Sequence, residues 1–205
     1  MINIKKEEAL KIILKCCKLY HCNLENKNVM FIVQDKRKDI HYLEMLFLAS
    51  NFLHLTGINI INKKIKSSTD FYNLCLKNQI TVSDFKFNSN GTTSMKLQIL
   101  PQIIQIQKIC KMTGDYNNTK LYLSTQKLVG NVNICMGFIK KGNYYIPNTA
   151  LKEDIRNITT EQAKIIAIMV KNVKDAKYKE ITYLNKNIEM KTILENEQIN
   201  KKVTF

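Results

Sequence analysis

The chain has 205 residues, of which 45% are apolar, and its formal net charge at neutral pH is +15. This length allows one substantial core or two small ones, and the apolar fraction is ordinary for a globular domain. Pro and Gly are scarce, which argues against a disordered linker, and no apolar run is long enough to cross a bilayer. The charged N-terminus lacks a signal-peptide pattern, so we expect a cytoplasmic protein without a membrane partner.

The first part of the chain is predicted to form a helix and a β-hairpin. Apolar residues recur at helical spacing over residues 4–20, which predicts an amphipathic helix. β-branched and aromatic residues predict strands over residues 29–33 and 40–49, joined by a charged turn. The next segment, Phe52 to Thr56, ends at Gly57, and an extended conformation is one interpretation of it.

The middle of the chain is predicted to be helical. Residues 67–70 offer N-caps for a helix over residues 71–78. A stronger helix is predicted over residues 96–112, with Pro101 marking its start or a kink. Gly114 is interpreted as the glycine that caps the C-terminus of this helix.

The last third is predicted to be rich in strands. Residues 159–170 fit two interpretations, a helix that starts at the two threonines and a buried strand over residues 163–170. The tail from Glu189 is predicted to be a helix that frays near residues 201–202. The other predicted strands cover residues 121–123, 128–139, 144–147 and 178–184.

Together these elements predict an α+β fold. An N-terminal helix and central helices would pack on an antiparallel sheet of about five or six strands. No linker composition interrupts the chain, so we expect a single domain over residues 5–185 and a charged C-terminal tail or helix over residues 186–205.

Six cysteines occur, at positions 16, 17, 22, 75, 110 and 135, which is too sparse for a disulfide scaffold. Cys16, Cys17, His21 and Cys22 suggest a metal cluster, but zinc sites usually comprise two spaced pairs and the second pair is missing. We interpret the cysteines as packed thiols and expect neither a metal ion nor a cofactor.

The positive charge points to RNA or another polyanion as a partner, because such a field attracts phosphate backbones. A second explanation stays open. Nearly all the basic residues are Lys, Arg occurs only at Arg37 and Arg156, and richness in Ile, Asn and Lys is typical of an AT-rich genome. Genome composition therefore accounts for part of the charge.

His54 is the strongest candidate among three histidines for a proton-transfer role. If Phe52 to Thr56 is extended, His54 and Thr56 point to the same face, next to a glycine that allows a ligand to approach closely. The alternative is a packed and hydrogen-bonded histidine without a role in chemistry.

Five blocks follow one another along the chain: residues 51–57, Asn-Phe-Leu-His-Leu-Thr-Gly, and residues 113–118, 127–131, 144–149 and 152–156. In this order they resemble the fourth phage Barnase–EndoU–colicin E5/D–RelE-like nuclease family, and the resemblance extends over residues 5–185. The resemblance implies a compact Barnase/EndoU/colicin/RelE-like fold of an N-terminal helix and an antiparallel sheet. It also implies metal-independent RNA cleavage by a protein of a phage or mobile element in the cytoplasm of a bacterial host.

Metal-free RNA cleavage uses the ribose 2′-OH as the nucleophile, with a base, an acid and cations around the phosphate. His54 suits the acid or base role, and the Thr56 hydroxyl is a candidate donor to a phosphate oxygen. Arg156 and Lys127, from two matching blocks, are the candidate cations, although Arg156 also has Glu153 and Asp154 as local partners.

Five further residues of the matching blocks are candidates for nucleic-acid binding. Tyr144 and Tyr145 offer rings for base stacking, but one of the two must face the core if they lie in a strand. Asp115 also fits a purely local role in a turn. The set implied by the resemblance is Asp115, Tyr116, Asn131, Tyr144 and Tyr145.

Two other functions remain open. An ADP-ribosyltransferase using NAD would place a histidine such as His54 near a later carboxylate, for which Asp115, Asp154 and Glu161 are candidates. A non-catalytic binder, such as a phage anti-defence protein, would block a host defence complex or an antitoxin-like protein by charge and shape.

Overall fold

The computed structural model describes residues 4–118 and 123–204. Helices dominate the first half of the chain, and short helices recur at the C-terminus. Their bounds are α1 Lys6–Asn23, α2 Phe52–Thr56, α3 Ser68–Leu76, α4 Thr92–Ile103, α5 Ile106–Ile109, α6 Met190–Leu194 and α7 Glu197–Asn200. Single 3₁₀ turns occupy Ala49–Asn51 and Ile155–Asn157. The predicted first helix and the helix capped by Ser67 are confirmed.

The strands alternate with these helices and then dominate the second half. They are β1 Lys27–Gln34, β2 Ile40–Phe47, β3 Ile58–Ile60, β4 Phe85–Phe87, β5 Met112–Tyr116, β6 Lys127–Gly130, β7 Cys135–Lys141, β8 Tyr144–Leu151, β9 Thr159–Asn172 and β10 Glu180–Leu184. The predicted β1–β2 hairpin is confirmed, and β3 pairs with β4 in a separate small sheet.

The main sheet is closed rather than open. Its strands follow the order β1-β2-β8-β7-β6-β5-β9, and antiparallel pairing of β1 with β9 closes them into a barrel of seven strands, with β10 added to β9. β2 and β8 meet in parallel through the single pair Met45 and Tyr145, whereas the other strand pairs of this sheet are antiparallel. The predicted mixture of helices and antiparallel strands is therefore correct, and the expectation of a simple sheet is corrected.

The largest core combines α1, α3 and α4 with one face of the strands. Phe31, Phe47, Phe52 and Phe138 are fully buried in it, together with Tyr20 of α1. Tyr20 donates its hydroxyl to the Leu48 carbonyl and its ring contacts those of Phe47 and Phe52. This aromatic cluster fixes the segment that enters α2.

A second core lies under the C-terminal segment, on the face of β1 and β9 that carries Met30 and Met169. Ile199 and Val203 are buried there, and the Lys202 ammonium lies 2.8 Å from the Glu44 carboxylate. The expectation that the tail frays near residues 201–202 is therefore wrong, because apolar burial and this ion pair hold it on the sheet.

Two further predictions are corrected. The helix predicted over residues 96–112 is instead α4 and α5, and β5 already begins at Met112. Gly114 lies inside β5 and caps no helix; a Cβ there would lie 2.7 Å from the Thr160 carbonyl oxygen. Its missing side chain lets β5 and β9 approach closely.

The open question at residues 159–170 is answered in favour of the strand, because β9 spans Thr159–Asn172. Of the strand predicted over residues 121–123, Leu121 and Tyr122 lie outside the described residues. Across residues 4–118 and 123–204, no helix is both long and apolar enough to span a bilayer. The same ranges hold no group of three His, Cys, Asp or Glu side chains that could bind a metal ion.

Candidate active site

His54 lies on a short helix, not on a strand. The Leu48 N–H donates to the Asn51 side-chain oxygen (2.8 Å) just before α2, and Gly57 ends α2 in the left-handed conformation with φ 70°. Both signals are typical of helix boundaries, so the condition under which His54 and Thr56 would share a face, an extended Phe52 to Thr56, is not met.

The helix changes the relation between His54 and Thr56. Residues two apart on a helix do not face each other. Thr56 is fully buried, and its hydroxyl donates to the Leu53 carbonyl at 2.7 Å. The expected pairing of imidazole and hydroxyl therefore does not form, and Thr56 stabilises the last turn of α2 instead.

The exposed His54 side chain lines a cavity of about 280 Å³ beside β3, α4 and β8. Asn59, Asn88, Lys96 and Asn148 supply its other polar groups. The Lys96 ammonium donates to the His54 carbonyl oxygen at 3.1 Å, where a helix leaves its last carbonyls without partners. The cavity thus combines one imidazole, one ammonium and three amides.

Gly57 allows this close packing of α4 against α2. A Cβ at Gly57 would lie 2.8 Å from the Lys96 Cδ and 3.4 Å from the Thr93 Cα. Without one, the Thr93 hydroxyl donates to the Gly57 carbonyl at 2.5 Å. The glycine predicted to allow close approach does so, but towards α4.

The pKa of His54 lies below its ordinary value of 6.5, first because of partial burial and second because of the neighbouring Lys96 charge. Burial also lowers the pKa of Lys96. A lowered imidazole pKa keeps His54 neutral near pH 7, which is the form that accepts a proton.

Lys127 and Asp115 face each other across β6 and β5, and their side chains form an ion pair with Nζ 2.5 Å from Oδ1. The Tyr116 side chain next to Asp115 is buried in a third apolar cluster with Leu128 and Ile158. Neither Lys127 nor Tyr116 lines the His54 cavity.

Arg156 is engaged locally, as one interpretation of the sequence allowed. Its Nε and Nη2 donate to the Asp154 carboxylate at 3.0 and 2.6 Å, which lowers the pKa of Asp154 and raises that of Arg156. Asn131 lies nearby, because its carbonyl accepts from the Ile155 N–H at 3.2 Å. The Asn131 side-chain oxygen accepts two backbone N–H groups, from Asn133 and Ile134, and shapes a turn.

Tyr144 and Tyr145 lie next to each other on β8 and point to opposite faces. Tyr145 packs against the main core, as expected for one of the two. Tyr144 lies close enough to Tyr178 and Lys202 to contribute to raising their pKa values. It therefore belongs to the surroundings of the C-terminal segment.

The structure brings His54 together with Lys96, Asn88 and Asn148, none of which was predicted from the sequence. Asn148 carried a signal, since it lies in the matching block of residues 144–149. Its side chain accepts from the Thr125 hydroxyl at 3.0 Å and donates to the Ser124 carbonyl at 2.7 Å. These two hydrogen bonds hold the residues just before β6 against β8. Lys96 belongs to no sequence motif, and only the packing of α4 against α2 shows that it lies beside His54.

A mixed α and β fold with a closed sheet and a cavity beside a histidine is compatible with a nuclease-like domain. The family model for phage-Barnase-EndoU-ColicinE5/D-RelE like nuclease4 matches residues 12–187, so the chain belongs to this family. No curated protein and no solved structure matches the sequence significantly.

Proposed function

We propose that the protein is an endoribonuclease that cleaves RNA without a metal ion, through the ribose 2′-OH, with His54 as the acid or base. Membership of a nuclease family supports nuclease chemistry. The observation that carries the assignment to His54 is its exposed imidazole, with a lowered pKa, beside the Lys96 ammonium.

In this mechanism neutral His54 removes the 2′-OH proton, and the oxygen attacks the adjacent phosphorus. The Lys96 ammonium has three donors, of which one is used on the His54 carbonyl. The other two are free to stabilise the charge that develops on the phosphate oxygens. Protonated His54 then suits the return of the proton to the leaving 5′-oxygen or to solvent.

Lys127, Arg156 and Asn131 do not line the His54 cavity, and we propose that they act as contacts to the RNA rather than in the reaction. The proposed target is RNA in the cytoplasm of a bacterial host, in keeping with the phage origin in the family name. A host defence complex or an antitoxin-like protein is the protein partner that we would look for.

Incubation of the protein with total RNA in EDTA tests this proposal. We expect the wild type to produce fragments that end in 2′,3′-cyclic phosphate. His54→Ala should lower the rate by about 10²- to 10⁴-fold, the usual contribution of general acid–base catalysis. His41→Gln is the matched control, because His41 is an exposed histidine outside the cavity.

Two results would contradict the proposal. One is intact RNA after prolonged incubation with the wild type. The other is equal cleavage by the wild type and His54→Ala. The transferase alternative receives no support from the cavity, since the described residues that line it carry no carboxylate opposite His54.

A further inference from the structure

A second cavity, of about 490 Å³, lies between the end of β1, the start of β5 and the middle of β9. It shares no lining residue with the His54 cavity. β5 is three strands away from β8, which carries Asn148, in the order of the sheet. The two cavities are therefore separate sites on the barrel.

Irregular strand pairing borders this second cavity. The β1–β9 register shifts between Ile32 and Val33, and the β5–β9 register shifts between Thr113 and Asp115. Glu161 in β9 has a positive φ of 44°, which is unusual for a residue other than glycine. Such bulges bend a strand and redirect its side chains, and they are frequent beside functional sites.

The bulge in β9 places Gln162 in the cavity lining with a fixed amide. Its Nε2 donates to the carbonyls of Arg156 (2.9 Å) and Thr159 (3.0 Å). Both amide protons are then used, so the Gln162 side-chain oxygen is left as an acceptor. This contact also joins the cavity to the backbone of Arg156.

Three exposed lysines surround the same cavity, Lys36, Lys111 and Lys164. Within the described residues, none of them forms an ion pair with a carboxylate. Lys111 lies 3.5 Å above the centre of the Tyr183 ring and forms a cation–π contact with it. Asp35 also lines the cavity, but its Oδ1 accepts two backbone N–H groups of its own turn.

The half-buried Met112 completes the lining with apolar surface. A volume of about 490 Å³ falls within the range of small-ligand sites. Cations, an apolar surface and a fixed acceptor are the groups that a phosphate and a nucleobase require together.

We propose that this cavity binds one nucleotide of a single-stranded RNA, with the phosphate at Lys36, Lys111 and Lys164 and the base against Met112. The Gln162 oxygen accepts from an exocyclic amine of the base. This inference rests on the proposed function in taking RNA as the substrate, and it adds a binding subsite remote from His54.

Fluorescence anisotropy with a labelled single-stranded RNA tests the subsite. The RNA carries 2′-O-methyl riboses, so that it cannot be cut through the 2′-OH. We expect the triple variant Lys36→Gln, Lys111→Gln, Lys164→Gln to bind at least about 10-fold more weakly than the wild type. The dependence of its log affinity on log salt should also be shallower, by roughly 0.7 for each lost phosphate contact.

The matched control is the triple variant Lys77→Gln, Lys174→Gln, Lys186→Gln. It removes the same charge from three exposed lysines outside both cavities. Its affinity should stay within about 2-fold of the wild type, since bulk charge is weakly felt across a screened surface. Equal losses in both variants, or no loss in the first, would overturn the proposal.

Competition distinguishes a nucleotide from a bare anion. Cytidine monophosphate should displace the labelled RNA at lower concentration than inorganic phosphate, and Gln162→Leu should reduce that advantage. Equal competition by the two would overturn the part of the proposal that concerns the base. Cleavage of unmodified RNA is measured in a separate assay. If the RNA is not cleaved but the triple variant still binds it more weakly, the nuclease proposal fails and the binding subsite stands.

Discussion

At His54, two influences act on the imidazole in the same direction. Partial burial disfavours its charged form, and the Lys96 ammonium repels the proton. The sequence could indicate His54 as a candidate, because only three histidines occur, but it could not indicate Lys96, which lies 42 residues further along the chain. The chemistry of the residue therefore depends on a contact between distant segments.

Replacing Lys96 should raise the pKa of His54. We expect Lys96→Gln to move that pKa upwards towards 6.5, because the repulsive charge is lost while a polar side chain is kept. The measurement is an NMR pH titration of the imidazole Cε1–H signal, assigned by its absence in His54→Gln. Lys77→Gln is the control and should leave the titration unchanged.

The sign of the linked stability follows from the same shift. Because the folded-state pKa is lower than the unfolded-state value, the unfolded chain binds more protons as the pH falls below 6.5, and His54 then destabilises the fold. Lys96→Gln should reduce this acid sensitivity. A His54 titration midpoint at or above 6.5 in the wild type would contradict the account.

At the scale of elements, sequence patterns predicted the long helices and strands better than the short ones. The run from Phe52 to Thr56 is too short for periodicity to distinguish helix from strand. Gly57 and Gly114 show why glycine alone is ambiguous. Gly57 ends a helix with a positive φ, whereas Gly114 sits in a strand because Thr159 and Thr160 approach it closely.

Gly57→Ala tests whether close packing or backbone conformation dominates at the end of α2. Gly91→Ala is the matched control, since Gly91 has a φ of 73° and a Cβ added there would meet no atom within 4 Å. We expect Gly91→Ala to cost about 1 kcal/mol of unfolding free energy from the left-handed conformation alone. Gly57→Ala should cost only roughly 0.5 kcal/mol more, because the close atom that its Cβ would meet is the Lys96 Cδ, which belongs to a flexible side chain and can move aside.

Urea denaturation measures both glycine variants. A loss for Gly57→Ala that exceeds the loss for Gly91→Ala by about 1 kcal/mol or more would contradict this account, since it would mean that Lys96 cannot move aside. Gly57→Ala should also raise the pKa of His54, because the displaced ammonium no longer lies against the His54 carbonyl.

At the scale of the whole molecule, the closed sheet depends on pairings that no local pattern contains. β1 pairs with β9 and β2 pairs with β8, and both pairings join segments that are far apart in the sequence. The individual strands could therefore be predicted approximately from the sequence, but the closure of the sheet into a barrel could not. The ordered tail escaped prediction for a similar reason. The charged residues of the tail indicate a solvent-exposed segment. Instead, Ile193, Ile199 and Val203 pack on the face of β1 and β9 that carries Met30 and Met169.

Tyr178 and Glu44 should anchor that tail region. The Tyr178 hydroxyl donates to the Glu44 carboxylate at 2.9 Å, and Lys202 binds the other carboxylate oxygen. We expect Tyr178→Phe to lower the unfolding free energy by about 1–3 kcal/mol, because a largely buried carboxylate loses a donor. The change is measured by urea denaturation.

Tyr42→Phe is the control for this substitution. Tyr42 is half-buried on the same strand as Glu44, and its ring lies under the Lys202 ammonium, 5.2 Å from the ring centre. The ring stays in Tyr42→Phe, so the unfolding free energy should change by less than about 0.5 kcal/mol. Similar decreases in unfolding free energy for both variants would contradict the prediction that the hydrogen bond from the Tyr178 hydroxyl to Glu44 stabilises the tail.

The seam between β1 and β9 also determines when the protein can complete its fold during synthesis. β9 is made long after β1, and until it emerges from the ribosome both β1 and β5 present unpaired strand edges. Contacts so distant along the chain form slowly, and exposed edges invite aggregation. A chain truncated before residue 172 should therefore aggregate. The barrel can close only after the ribosome has synthesised β9.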